Sequence, residues 1–215
     1  MNSLLLKKWP FLNDFEKVPG FFSINESIVM YETIKRITRT CIAIEIGSLL
    51  GKSACVIAKS FYKQGSKLYC IDPFLDRASS RMPEKLKTRN SIITGDRQLE
   101  MFKKNLISQG VINKISIIRE FSEKAISLVP DKVDFIFIDG SHKYKNVLSD
   151  YINYEKKLKV GGYMAIHDVY LTAKLKDSGP CRVVQDKMMN SPEYQNPKWV
   201  SQILADCLFI AQKVK

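Results

Sequence analysis

Five short apolar runs, at residues 41–46, 67–71, 114–118, 133–138 and 163–166, alternate along this chain with segments of helical spacing. Each run has the length and branched or aromatic content of a strand. The intervening segments, at 53–62, 98–108, 123–128 and 144–158, carry apolar residues at helical intervals; in the last, Val147, Leu148, Tyr151 and Ile152 fall on one face and lysines fill the other. A strand–helix alternation of this kind predicts a right-handed β-α-β series and a mostly parallel, twisted α/β sheet.

The two ends depart from that alternation. Pro19-Gly20 closes an irregular start, and Ser23-Ile24-Asn25-Glu26 has the form of a capping box opening a helix with apolar Ile28, Met30, Tyr31, Ile34 and Ile37. Residues 1–40 are therefore read as a helical cap over the ligand edge of a domain formed by residues 41–215. Near the other end, a helix around 182–189 leads through a proline-flanked stretch to two runs, 199–204 and 207–212, that face each other across Ala205-Asp206. These predict an antiparallel pair at the sheet edge. Residues 76–91 read as a long mobile loop beside the ligand edge.

Composition narrows the class. With 45% hydrophobic residues in 215, one well-buried domain is within reach and disorder is not favoured. No apolar run reaches membrane-spanning length, and the first residues lack a signal peptide's order, so the expected compartment is the cytoplasm. Cys41, Cys55, Cys70, Cys181 and Cys207 lack close metal-binding or redox spacing and read as buried free thiols. The net charge of +12 is spread widely, with Lys213 and Lys215 read as a basic tail. One denser patch, Arg77, Arg81, Lys85, Lys87 and Arg89, can meet an acidic partner, but no nucleic-acid-binding motif accompanies it.

Chemistry concentrates where the first strand ends. Ile42-Ala-Ile-Glu-Ile-Gly-Ser-Leu-Leu-Gly-Lys-Ser53 places an acid and two spaced glycines between a strand and a helix, and the next strand ends on Asp72. That is how such a sheet builds a nucleoside pocket. A dinucleotide fingerprint needs a middle glycine where Leu49 stands, and the phosphate loop needs one more residue than 47–53 supplies. The phosphate-loop near miss keeps a nucleotide triphosphatase open, with Lys52 and Ser53 as its phosphate and metal groups. Glu45 argues against it, because a carboxylate repels phosphates but can accept from a cationic amino-acid moiety. Asp72 is placed for two ribose hydroxyls, so a phosphate-free ribose ligand with a cationic end suits both acids.

Glu45-Ile-Gly47-x-x-x-Gly51 followed by Asp72-Pro73-Phe74 resembles the first two motifs of class I S-adenosylmethionine-dependent methyltransferases. Phe135-Ile-Phe-Ile-Asp139-Gly-Ser-His142 and Leu158-Lys-Val-Gly161-Gly162 through His167-Asp168-Val169 extend the resemblance to the small O-methyltransferases of catechol and macrolide-sugar type. It implies a Rossmann-like fold with a seven-stranded, mostly parallel sheet and an antiparallel edge hairpin. It further implies S-adenosylmethionine as cofactor, held around Glu45, Gly47, Ser48, Gly51, Ser53, Asp72 and Asp139, with Phe121 and Ser122 near the adenine. Ser122 reads equally well as a helix N-cap.

The only two histidines, His142 and His167, each lie beside an acid at a predicted strand end. The resemblance implies Mg²⁺ or another divalent ion at Asp139 and Asp168, with His167 where related enzymes carry a second carboxylate. Imidazole is a poor ligand for Mg²⁺, and adjacent strand residues point oppositely, so His167 and Asp168 converge only if the strand ends there. Asp139, His142 and His167 are the candidate catalytic residues, with His142, or else His167, as general base for methyl transfer to a hydroxyl. The acceptor expected is a small molecule, sugar-like or anionic, because Lys174 and Lys176 and the basic loop flank the edge. Nucleic acid, including RNA as methyl acceptor, is the weaker alternative, and the helix after Ser23 or the edge hairpin can pack a second copy in a homo-oligomer.

Overall fold

The strand–helix alternation closes into one seven-stranded sheet. The structure, a computed structural model, describes residues 3–75, 95–170, 178–189 and 198–215. In chain order these form α1 (Ser3–Lys8), α2 (Leu12–Phe15), α3 (Ile24–Lys35), β1 (Ile42–Ile46), α4 (Lys52–Ser60), β2 (Lys67–Ile71), α5 (Gly95–Ser108), β3 (Ile115–Ile118), α6 (Ser122–Ala125), β4 (Val133–Ile138), α7 (Tyr144–Glu155), β5 (Leu158–Ile166), α8 (Gly179–Val184), β6 (Trp199–Ala205) and β7 (Leu208–Lys213). The seven strands run β3-β2-β1-β4-β5-β7-β6. The first five are parallel, and β7 lies antiparallel between β5 and β6. The Rossmann-like sheet and its antiparallel edge hairpin are thus both present.

Strand order and side-chain alternation together locate the core and the site. β4 is buried along its whole length, which is why it reads as an unbroken apolar run. Phe135 and Phe137 point to the face shared with α3, α4 and α5, while Ile136 and Ile138 point to the face covered by α7 and α8. β1 pairs with β2 on one side and β4 on the other, so the chain reverses its direction of strand addition between β1 and β4. A crevice opens beyond the carboxyl ends at such a switch, and Gly47 and Asp139 follow directly.

The N-terminal segment shares this core. Residues expected to be irregular include α1 and α2, and Phe11, Leu12, Phe15 and Val18 are buried with Met30 and Ile34 of α3 against Ala54 and Val56 of α4. α3 begins with the expected capping box: the Ser23 hydroxyl accepts from the Glu26 N–H, and the Glu26 carboxylate accepts from the Ser23 N–H.

Three readings differ from the structure. The strand expected at 163–166 begins five residues earlier, at Leu158, because Gly161-Gly162 continues the strand instead of breaking it. A Cβ at Gly162 would lie 2.9 Å from the Asp134 carbonyl oxygen, so the glycine admits the neighbouring backbone beside a register shift. Lys213 is no solvated tail residue: it is buried on β7, 2.6 Å from Glu155, and donates to the carbonyls of Glu155 and Leu158. Cys207 is only partly buried, whereas the other four thiols are buried, and all five are free. The basic loop at 76–91 and Lys174 and Lys176 lie outside the described residues. Among the described residues, no helix is long and apolar enough to cross a membrane.

Candidate active site

Backbone hydrogen bonds align the carboxyl ends of the strands into one rim. Gly47 N–H donates to the Ile71 carbonyl, Asp139 N–H to Ile46, His167 N–H to Ile138 and Asp72 N–H to Ile118. Each residue just past a strand is therefore held by the strand beside it. Gly47 has φ +85°, and a Cβ there would sit 2.4 Å from the Asp139 carbonyl oxygen. Expected to clear space for a ligand, this glycine first clears space for the backbone of Asp139 and Gly140. Gly51, at φ +87°, packs on the Phe102 ring of α5, where a Cβ would approach to 3.0 Å.

Two carboxyl groups shape the turn between these glycines. Asp72 accepts from the N–H groups of Ser48 and Leu49 with one oxygen, at 2.9 and 3.0 Å, and from Phe74 N–H with the other, at 2.7 Å. Burial raises its pKa, and these three donors only partly offset that rise. Glu45 is fully buried, and its oxygens accept from the hydroxyls of Ser48 and Ser53, both at 2.6 Å. The turn is thereby pinned from above by Asp72 and from below by Glu45.

Burial lifts the Glu45 pKa to about 7, against the lowering effect of its bonds from Ser48, Ser53 and Cys70. A raised folded-state pKa means that the native state holds this proton more tightly than the unfolded chain does. The stabilisation is complete below the unfolded value and is lost as pH rises through the folded one. Wild-type protein is therefore expected to lose on the order of 2–3 kcal/mol from this group between pH 4.5 and pH 8, and Glu45→Gln should flatten that decline. Urea unfolding of both proteins across this range measures it; identical pH slopes would refute the assignment.

The rim beyond β4 and β5 gathers the acids and histidines that lie far apart in sequence. β5 ends at Ile166, and Asp168 adopts φ +58°, so the backbone turns and both His167 and Asp168 face Asp139. His167 Nδ1 lies 3.4 Å from Asp139 and 3.8 Å from Asp168. The donor atoms of Asp139, His167 and Asp168 lie within 4.8 Å of one another. His142 Nε2 hydrogen-bonds the other Asp168 oxygen, and the Tyr170 hydroxyl donates to Asp168 Oδ1 at 3.2 Å.

Residues 44–169 match the family model described as a methyltransferase domain, more than half of the chain. The chain belongs to this methyltransferase family. Its fold is that of class I S-adenosylmethionine-dependent methyltransferases, as seen in solved small-molecule O-methyltransferases. An uncharacterized protein of Acanthamoeba polyphaga mimivirus is 30% identical over 124 residues, covering 52% of this chain and 55% of that protein. The chain thus spans about half the length of this curated relative. The O-methyltransferase TomG from Streptomyces achromogenes, involved in tomaymycin synthesis and solved with S-adenosylmethionine, superposes with TM-score 0.66 at 13% identity, over 100% of this chain and 91% of its own. An O-methyltransferase from Bacillus cereus, solved with S-adenosylhomocysteine, gives TM-score 0.64 at 13% identity, over 100% and 92%.

The methyltransferase turn also disposes of the phosphate-loop alternative. Lys52 runs away from the turn to the Phe15 ring, 4.2 Å from its centroid, and to Glu16 at 3.6 Å. The Ser53 hydroxyl donates its hydrogen bond to Glu45. Neither side chain of the supposed lysine–serine pair is placed for a phosphate or its metal.

Beyond β3, Phe121 is the N-cap of α6 and is 37% exposed at the rim. Ser122, read equally as an adenine neighbour and as that cap, is the first helical residue instead of the cap, and its hydroxyl donates to Asp150 at 2.5 Å. Asp150 is buried, and burial raises its pKa to about 6 despite the bond from Ser122.

Sequence reasoning missed Glu26 and Cys207 as parts of this rim. Glu26, buried at the start of α3, lies 3.2 Å from His167 Nε2 and accepts from Cys207 N–H at 3.1 Å. Burial alone would raise Glu26, but the bonds from His167, Cys207 and the Ser23 backbone outweigh it and hold the carboxyl at about 2. For His167 burial favours the neutral ring, and its bonds to Asp139, Cys207 and Glu26 reverse that and raise its pKa strongly. The capping box already explains Glu26 locally, so no signal in the chain pointed from it to a histidine 141 positions away.

Proposed function

We propose that this methyltransferase transfers the cofactor's methyl group to a hydroxyl oxygen of a small polyhydroxylated or anionic acceptor, a sugar being the preferred class. The observation that carries the reading is the meeting of Asp139, His142, His167 and Asp168 at the switch-point rim, beside the Gly47 turn. Gly47, Ser48, Gly51 and Asp72 border the crevice for the cofactor, with Phe121 and Ser122 flanking the adenine side. Asp72 would grip the ribose. Glu45 and Ser53 act from beneath, holding the turn in shape instead of touching the ligand.

The donor set suits a hard divalent ion, because two carboxylates from adjacent strand ends converge at one point. Asp139 and Asp168 would hold it. His167, expected as a ligand or base, fits better as a hydrogen-bond donor that aims the Asp139 carboxylate, since its Nδ1 lies 3.4 Å from that carboxylate. Bound S-adenosylmethionine supplies a methyl carbon activated by its sulfonium, and a hard cation would acidify and orient the acceptor hydroxyl.

His142 accepts the hydroxyl proton as the new C–O bond forms and the S–C bond breaks, and Asp168 steadies the resulting imidazolium. Aligning the two reactants and excluding water supply the remaining acceleration. The basic residues within 76–91 and 168–180 favour an anionic or hydroxyl-rich acceptor by charge.

The test couples binding to turnover. Wild-type protein with S-adenosylmethionine, Mg²⁺ and a panel of sugars, nucleotide sugars and catechols is expected to yield S-adenosylhomocysteine and an O-methylated product by mass spectrometry. Asp139→Asn should bind S-adenosylmethionine within about threefold of wild type while losing at least about 100-fold in turnover. Unchanged turnover in that variant removes Asp139 from the mechanism.

A further inference from the structure

His167 has a second side that methyl transfer does not use. Its Nε2 points away from Asp139 and Asp168 into a cluster made by Glu26 from α3 and Cys207 from the turn between β6 and β7. Glu26 Oε1, His167 Nε2 and Cys207 Sγ are separated by 3.2, 2.9 and 3.5 Å along the three edges of one triangle. From these three atoms we propose a second metal site, distinct from the Asp139–Asp168 pair, that takes Zn²⁺ or a similar borderline transition ion.

The donor chemistry selects the ion. A thiolate, an imidazole and one carboxylate form a set suited to Zn²⁺ and ill-suited to Mg²⁺. Zinc bonds of about 2.0–2.3 Å at tetrahedral angles put ligand atoms about 3.3–3.6 Å apart. The two edges at His167 match this within about 0.2 Å and the Cys207–Glu26 edge is shorter by about 0.7 Å, so a single ion fits over the triangle once the Cys207 thiol and the Glu26 carboxylate part by that amount. Charge balances as well, because carboxylate and thiolate together neutralise a divalent cation in a place where Glu26 and His167 are nearly inaccessible.

The surroundings are those of a ligating histidine. Its other nitrogen, Nδ1, faces the Asp139 carboxylate at 3.4 Å, the arrangement that fixes the tautomer in which Nε2 offers its lone pair to a metal. The rings of Phe22 and Phe137 lie 5.6 and 6.1 Å from the imidazole and hold its orientation. Glu26 is anchored by its other oxygen to the Ser23 N–H at 2.8 Å, leaving Oε1 toward the cluster. The Tyr170 hydroxyl also hydrogen-bonds Cys207. Binding displaces two protons, one from His167 Nε2 and one from the Cys207 thiol, and no electron transfer occurs. The ion would clip the N-terminal helix and the edge hairpin to the end of β5, so that Asp139 is presented from a fixed imidazole.

The experiment uses the full chain. Protein dialysed against Zn²⁺ and gel-filtered is expected to retain about one ion per chain by elemental analysis, and Co²⁺ loading should give a thiolate-to-cobalt absorption band in the near ultraviolet. Cys207→Ser should abolish that band and weaken Zn²⁺ binding at least about tenfold, with Glu26→Gln as an independent second ligand variant. Cys181→Ser, which removes the neighbouring thiol bonded to the Tyr170 backbone, should keep the band. Circular dichroism confirms that each variant is folded. No bound ion, a cobalt spectrum without the thiolate band, a band that follows Cys181, or Zn²⁺ binding unaffected by Cys207→Ser would each overturn the site. None of these results depends on the methyl acceptor.

Discussion

Asp72→Ala is expected to weaken S-adenosylmethionine binding in titration calorimetry by at least about 100-fold, or about 2.7 kcal/mol. The size follows from the number of groups that depend on this carboxylate. It takes the backbone N–H groups of Ser48, Leu49 and Phe74, and it is only 9% exposed, so water cannot replace it cheaply. A buried donor left without its acceptor costs about 1–3 kcal/mol, and three are released at once. Part of that cost is met by the turn relaxing, which destroys the Gly47–Gly51 shape proposed to hold the cofactor. Asp72→Asn is the milder comparison, because its amide keeps one acceptor and turns the other into a donor facing N–H groups. Binding within about threefold of wild type in the alanine variant, with the protein folded, would show that this turn does not hold the cofactor.

Gly47→Ala is expected to give the second large effect, a loss of stability of about 3 kcal/mol or more together with loss of cofactor binding. Two causes act in the same direction. At φ +85° an L-residue is strained by about 1–2 kcal/mol, and the new methyl group would sit 2.4 Å from the Asp139 carbonyl oxygen and 2.6 Å from Gly140 Cα. Those are backbone atoms at the end of a fully buried strand, so they cannot swing aside as a flexible side chain can. Relief requires β1 and β4 to separate at their carboxyl ends, which moves Asp139 as well. Thermal unfolding and cofactor titration measure both effects; a variant with near wild-type stability would show that the rim is softer than its contacts imply.

These two positions also illustrate what was readable beforehand. Gly47 and Asp72 stand out because strand ends, glycine spacing and an acid at the next strand end are local patterns with one chemical meaning in an α/β sheet. β2 and β4 are found at their observed limits for the same reason: an apolar run bounded by turn residues carries its own ends. The start of β5 misled, reading as residue 163 instead of Leu158, and only the Asp134 carbonyl beside Gly162 shows why the strand needs a glycine there. Lys213 misled similarly, since its burial depends on Glu155 from α7 lying across β7.

The chain by itself determined the sheet, its parallel core, its antiparallel edge and the two histidine–acid strand ends, because hydrophobic period and turn chemistry act over a few residues. Only the tertiary structure decided what those groups face. Glu45 turned under the cofactor turn, Lys52 ran to Phe15, and Glu26 and Cys207 closed on the back of His167 from positions 141 and 40 residues away. Such meetings depend on strand order and helix packing, and the long-range contacts that create them leave no period in the sequence.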